Sequence, residues 1–241
     1  LVDQFLHLAG SKKFIDTFLV VIQFGSILAV LILYFNKLNP FSSRKSPKAK
    51  KATWNLWIKV LIAVLPSGII GVLFEDQIDR IFFRPSVVAG ALIIYGIIMI
   101  WIENRHRKPG ITKFSQVSYK TALLIGLFQC LALVPGTSRS GSTIIGATLL
   151  GTSRFIAAEF SFFLAIPTML GASLLKLLKA GFAFTGFEWF IMFVGSLVAF
   201  IVSVIVIKFF MSYIKKHDFK AFGAYRIVLG IIVFIYFAIA G

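Results

Sequence analysis

Residues 119–150 read YKTALLIGLFQCLALVPGTSRSGSTIIGATLL, and the fold turns on whether this stretch crosses a membrane or enters and returns. The apolar arm from Ala122 to Val134 is too short to cross comfortably. Pro135 and Gly136 break it, and a second short arm runs from Thr143 to Leu150. The pattern predicts a re-entrant helical hairpin over 119–150. Broken backbone at membrane depth is tolerated only where protein or a water-filled cavity satisfies it, so the hairpin should be enclosed by other helices.

Composition identifies the surrounding solvent. With 59% hydrophobic and 14% charged residues, the 241-residue chain has too little polar surface to cover a soluble globule. Six apolar runs have spanning length, at about Phe18–Phe35, Leu56–Phe74, Ser86–Trp101, Phe155–Leu178, Trp189–Phe209 and Phe222–Ala240. The expectation is an all-α integral membrane protein with six transmembrane helices plus the hairpin, in one membrane domain over 1–241. The net charge of +16 sits in a few loops between apolar runs, as orientation signals do, and not as a nucleic-acid surface. Lys37, Arg44, Lys45, Lys48, Lys50 and Lys51 fill the loop after the first span and keep it cytoplasmic. Alternation then places the acidic loop Glu75, Asp76, Asp79 outside. It returns Arg105, Arg107, Lys108 and Lys113 to the inside, and later Lys215, Lys216 and Lys220. This holds only if 119–150 enters and leaves from the cytoplasmic side. The single cysteine, Cys130, excludes an internal disulfide framework and reads as a packing residue.

An internal echo points to two halves. Gly90-Ala91 and Gly96-Ile97-Ile98 in the third span match Gly223-Ala224 and Gly230-Ile231-Ile232 in the sixth. Three spans per half is an odd number, so the copies, 1–118 and 119–241, are inverted relative to each other, an arrangement that places a site near the midplane. By this symmetry a partner hairpin precedes Phe18 and enters from outside. The chain opens at Leu1 rather than Met, so that hairpin is expected upstream.

The chemistry sits in the break. Residues Gly136, Thr137, Ser138, Arg139, Ser140, Gly141, Ser142 and Thr143 surround one guanidinium with small residues and hydroxyls, at the start of a short helix. Such a turn aims several backbone N–H groups and a positive helix end at one anion. The fork of Arg139 matches two phosphate oxygens. Ser138, Ser140, Ser142 and Thr143 add donors. In the competing reading Arg139 snorkels to the surface or pairs with Glu159. Other anion chemistries lack their residues. There is no Gly-x4-Gly-Lys-Ser/Thr run, and Cys130 stands too far from Arg139 for a cysteine phosphatase loop. His7, His106 and His217 occupy terminal or loop positions, where surface histidines are expected.

The run Gly126 to Ala132, then Leu133-Val134-Pro135-Gly136-Thr137-Ser138-Arg139-Ser140-Gly141-Ser142-Thr143, closely resembles the second signature of the bacitracin-resistance family of undecaprenyl-diphosphate phosphatases. Phe18 to Val30, the segment Gly223-Ala224-Tyr225-Arg226 and the basic loop after Tyr34-Phe35 resemble it too. The resemblance implies an enzyme that removes the terminal phosphate of the C55 lipid diphosphate, recycling the cell-wall carrier and conferring bacitracin resistance. Carried over, Arg139 grips the diphosphate, Ser138 and Thr143 bond its oxygens, and Gly136 and Gly141 permit close backbone approach. Thr137, Ser140 and Ser142 line the same turn. Gln129 stands roughly where the first hairpin of the family has a glutamate, but a neutral amide is no base and serves as an orienter. The resemblance also implies a divalent cation, Ca2+ or Mg2+, membrane-lipid partners, the bacterial cytoplasmic membrane and access from the periplasmic face. It leaves a homo-oligomer open. The family's first signature, with paired glutamates and a Pro-Val-Ser-Ser-Thr-Gly-His run, is expected upstream of Leu1, so no nucleophile or metal ligand is named within this sequence. Inverted repeats with broken helices also characterise transporters, which keeps a flippase for undecaprenyl phosphate as the alternative.

Overall fold

The structure is a computed structural model and describes residues 10–105, 108–181 and 183–240. Among these the regular elements are helical, in the order α1 Lys12–Val21, α2 Gln23–Leu33, α3 Phe35–Leu38, α4 Pro47–Phe82, α5 Pro85–Asn104, α6 Tyr119–Cys130, α7 Arg139–Leu149, α8 Arg154–Ala180, α9 Gly186–Tyr213 and α10 Lys220–Ala240. The only β pairing among the described residues is an isolated bridge between Ile111 and Thr152. Six stretches are long and apolar enough to cross a membrane: Lys12–Leu33, Pro47–Phe74, Pro85–Asn104, Arg154–Lys179, Gly186–Tyr213 and Lys220–Ile239. Each carries aliphatic side chains that are more than half exposed, among them Ile32, Val72, Ile97, Leu174, Ile205 and Ile232. Water does not tolerate so much bare hydrocarbon, and the protein is a multi-pass membrane protein.

The helices outrun the hydropathy boundaries, and α4 does so most. Lys48, Lys50 and Lys51 were expected in a loop, and residues 75–79 in another; the structure carries both within α4. The Ser46 hydroxyl accepts from the Ala49 N–H at 3.3 Å and starts the helix, Pro47 takes its first position, and Pro66 does not end it. At 36 residues the helix is about 54 Å long against a hydrocarbon core of about 30 Å. Its charged ends therefore have length to spare beyond an apolar band of that thickness. The side chains of Glu75, Asp76 and Asp79, and all of His7, His106 and Arg107, lie outside the described residues.

The chain forms two compact units, one from Leu1–Asn39 with Ala165–Phe209, the other from Pro40–Leu164 with Phe210–Gly241. In the first, the Ser11 hydroxyl caps α1 by accepting from the Phe14 N–H at 3.1 Å. The first span is two helices meeting at Ile22, which keeps right-handed helical angles. Phe14, Val21 and Met192 form its buried cluster, joined by Phe18 and Leu177. Two hydroxyls act as polar ties, Ser26 with Ser203 at 2.8 Å and Ser173 donating to the Val20 carbonyl at 3.1 Å.

The second unit holds the hairpin. Helices α5 and α10 approach through the glycines of the internal echo. A Cβ on Gly96 would stand 2.6 Å from the Gly223 carbonyl oxygen, and one on Gly223 2.7 Å from that of Gly96. Gly230 repeats the contact against Ile93 and the Ala89 carbonyl. The predicted hairpin is present as a helical hairpin. Its first arm is α6 followed by a 3-10 turn at Leu131–Leu133, and its second is α7, which begins at Arg139 and not at Thr143. Neighbours enclose it. Gly126 of α6 lies against the Ala63 backbone of α4, Gly146 of α7 against the Phe128 ring of α6, and Gly136 against Val88 of α5. Every residue from Gly141 to Ala147 is buried.

Candidate functional site

The turn between α6 and α7 is fixed before any ligand arrives. Gly136 adopts φ +87°, a left-handed conformation, and a Cβ there would lie 2.5 Å from the Val88 carbonyl oxygen. The Val134 N–H donates to Leu131 at 3.2 Å and the Thr137 N–H to Val134 at 3.1 Å. Ser138 is the N-cap of α7, its hydroxyl accepting from the Gly141 N–H at 3.2 Å and lying 3.2 Å from the Ser140 hydroxyl. Helix geometry leaves the N–H groups of Arg139 and Ser140, the first two of α7, without intrahelical partners. They meet the positive end of the helix, and anions settle at such ends.

Two guanidinium groups serve this turn. Arg139 is partly buried and its Nη1 is enclosed with no hydrogen-bond partner. A cation that had snorkelled into water would not hide that nitrogen. Arg226 reaches in from α10, its Nη2 donating to the Gly136 carbonyl at 2.8 Å, and its Nη1 comes within 4.0 Å of where a Cβ of Gly141 would sit. Its Nε is likewise buried and unpaired. Buried N–H donors without acceptors are rare and costly, and two arginines bear them around this one turn.

The other residues singled out in the sequence divide in two. Gly136, Ser138, Arg139, Ser140 and Gly141 form the turn and the first turn of α7. Ser142 and Thr143 are fully buried behind it. The Ser142 hydroxyl donates to the Ser138 carbonyl at 3.2 Å, and the Thr143 hydroxyl to Ser161 of α8 at 2.7 Å. Thr137 is buried too. Gln129 is buried on α6 with its amide donating to the Ser67 hydroxyl of α4 at 2.5 Å, and its Oε1 is enclosed without a partner. Glu159 is buried on α8. His217 is exposed and stacks on Tyr213 with ring centroids 4.4 Å apart. Arg226 closes the segment Gly223-Ala224-Tyr225-Arg226, which in the sequence carries only a resemblance. Its signal was available: a charge inside an otherwise apolar span is a functional candidate in its own right.

The family described as bacitracin resistance protein BacA matches residues 1–232. "Undecaprenyl-diphosphatase 1" of Clostridioides difficile (strain 630) is 73% identical over 237 residues, covering 98% of this chain and 86% of that protein. "Undecaprenyl-diphosphatase" of Acetivibrio thermocellus is 56% identical over 239 residues, 98% of this chain and 88% of that protein. The protein of the same name in Enterococcus faecalis is 56% identical over 243 residues, covering 99% and 88%.

Proposed function

The chain belongs to the bacitracin resistance protein BacA family, and from that premise we propose that it hydrolyses undecaprenyl diphosphate to undecaprenyl phosphate and inorganic phosphate. The observation that carries the reading is the buried, unpartnered Nη1 of Arg139 at the N-terminal end of α7. A diphosphate supplies the missing acceptors. Arg139 and the Ser140 and Arg139 amides bind phosphoryl oxygens, and the Ser138 and Ser140 hydroxyls add neutral donors. Arg226 holds the Gly136 carbonyl and so fixes the turn. Phosphoryl transfer asks a protein chiefly for positioning and for stabilisation of charge on the equatorial oxygens, and this turn offers both. Thr143 and Ser142 act from behind it, anchoring α7 to α8 and to its own cap. Gln129 ties α6 to α4 and orients the first arm.

A divalent cation, calcium or magnesium, is part of the proposal; when bound, it neutralises diphosphate charge. Among the described residues no group of three His, Cys, Asp or Glu comes together to hold one. These residues do not by themselves form its cage, and no step is assigned to it.

The inverted-repeat reading, 1–118 against 119–241, draws support from the reciprocal Gly96 and Gly223 contact and its counterpart at Gly230. In that arrangement 119–150 is re-entrant from the cytoplasmic side of the bacterial inner membrane, and the substrate reaches the turn from the periplasmic face. The test is the purified protein in detergent micelles, where there are no sides to cross, supplied with undecaprenyl diphosphate and the cation. Release of inorganic phosphate supports hydrolysis; no release with intact lipid binding favours a flippase.

A further inference from the structure

A cleft of about 580 Å³ opens at the C-terminal end of α7. The eleven residues of that helix separate it from the Arg139 turn by about 15 Å of helical rise. Arg105, Lys108, Arg154 and Lys215 line it, with Glu103 as the carboxylate among them. Glu103 is already satisfied. The Arg154 Nε donates to its two oxygens at 2.9 and 3.0 Å, Arg154 Nη2 closes on Oε2, and the Phe219 N–H donates to Oε1 at 3.2 Å. Asp218, close by in sequence to Lys215, pairs with Lys220 at 3.7 Å. No carboxylate among the described residues pairs with Arg105, Lys108 or Lys215. Ring faces orient two of them without neutralising them, Arg105 at 4.6 Å over Trp101 and Lys215 at 5.7 Å over Phe155.

The hydroxyls of the same cleft supply an independent observation. Thr152 is only 4% exposed and its hydroxyl has no partner, and the Thr148 hydroxyl is likewise enclosed and unpaired. Such groups cost stability unless something bonds them. The loop that presents Thr152 is pinned: the Ile111 N–H donates to Gly151 at 3.0 Å and the Ser153 N–H to Ile111 at 2.8 Å. In the polar part of this lining, side chains that can donate outnumber the one carboxylate, which suits a ligand bearing several acceptor oxygens on one centre. The remaining wall, with Ile102, Leu149, Phe155 and Ile214, is apolar.

We propose that this cleft is a second phosphate-binding site, taking a phosphoryl head group, with an attached hydrocarbon chain against the apolar wall. It is separate from the Arg139 turn and does not depend on the activity proposed for that turn. The experiment uses native mass spectrometry of the purified protein in micelles, in an Arg139→Ala background so that the turn does not contribute. The probes are dioleoyl phosphatidic acid, with dioleoyl phosphatidylcholine as the zwitterionic control, and inorganic phosphate as competitor. Phosphatidic acid is retained about tenfold better than phosphatidylcholine. Lys108→Ala with Lys215→Ala removes that preference, Lys108→Arg with Lys215→Arg keeps it, and Thr152→Val weakens it several-fold. If excess inorganic phosphate strips the lipid, the site is upheld with free phosphate as a sufficient ligand; if the lipid survives, it is upheld with the chain contributing. Equal retention of the two lipids, or a double alanine variant that binds like its parent, overturns the proposal.

Discussion

Gly136 shows how much of the site rests on backbone. Its φ of +87° and the Val88 carbonyl 2.5 Å from a would-be Cβ leave room for no other residue. Gly136→Ala forces a left-handed alanine, at about 1–3 kcal/mol, and pushes the turn off α5. The melting temperature in micelles should fall and phosphate release should fall with it; an unchanged melt would show that the turn tolerates a side chain. Arg139, Ser138 and Gly136 were legible in the sequence because a charge, a cap and a helix breaker stand out in an apolar run. Arg226 was legible only as a misplaced charge, since its bond to the Gly136 carbonyl joins residues 90 positions apart. The direction of a hydroxyl leaves no trace in composition, so nothing in the sequence told Ser138, at the mouth of the turn, from Thr143, behind it.

At the scale of elements, the hairpin is a wedge held by small residues and by polar ties to α4, α8 and α10. Gly126 and Gly146 let α6 approach α4 and α7 approach α6. The Thr143 to Ser161 bond at 2.7 Å fastens α7 to α8. Thr143→Val keeps the volume and strands the buried Ser161 hydroxyl, which should cost about 1–3 kcal/mol. Thr143→Ser keeps the bond and should retain stability. Thermal melts of the two variants check this, and equal melts would mean the tie contributes nothing. The six spans and both hairpin arms were readable from length, apolarity and the Pro135-Gly136 break. The ends of α4 were not, because hydropathy registers where lipid stops and not where hydrogen bonding stops, and no proline stands between 67 and 83.

At the scale of the molecule, the proposed orientation rests on the basic residues and predicts a labelling pattern. With Cys130→Ala as background, cysteines at the exposed positions Ser43 and Lys216 should react with a membrane-impermeant maleimide only from the cytoplasmic side. A cysteine at exposed Ala183, between α8 and α9, should react only from outside. Labelling of Ser43→Cys and Lys216→Cys from opposite sides would mean that 119–150 crosses the membrane, and the re-entrant hairpin would be lost. Unpaired donors stand at both ends of α7, and the proposed chemistry belongs to the end with Arg139.

The most direct measurement is the rate of phosphate release from undecaprenyl diphosphate by Arg139→Ala and Arg139→Lys in micelles, each checked for wild-type helix content. Loss of a positioned donor to developing charge predicts a fall of about 10²–10³-fold for alanine, with lysine restoring little because it lacks the fork. Release by Arg139→Ala within twofold of the wild type would contradict the account.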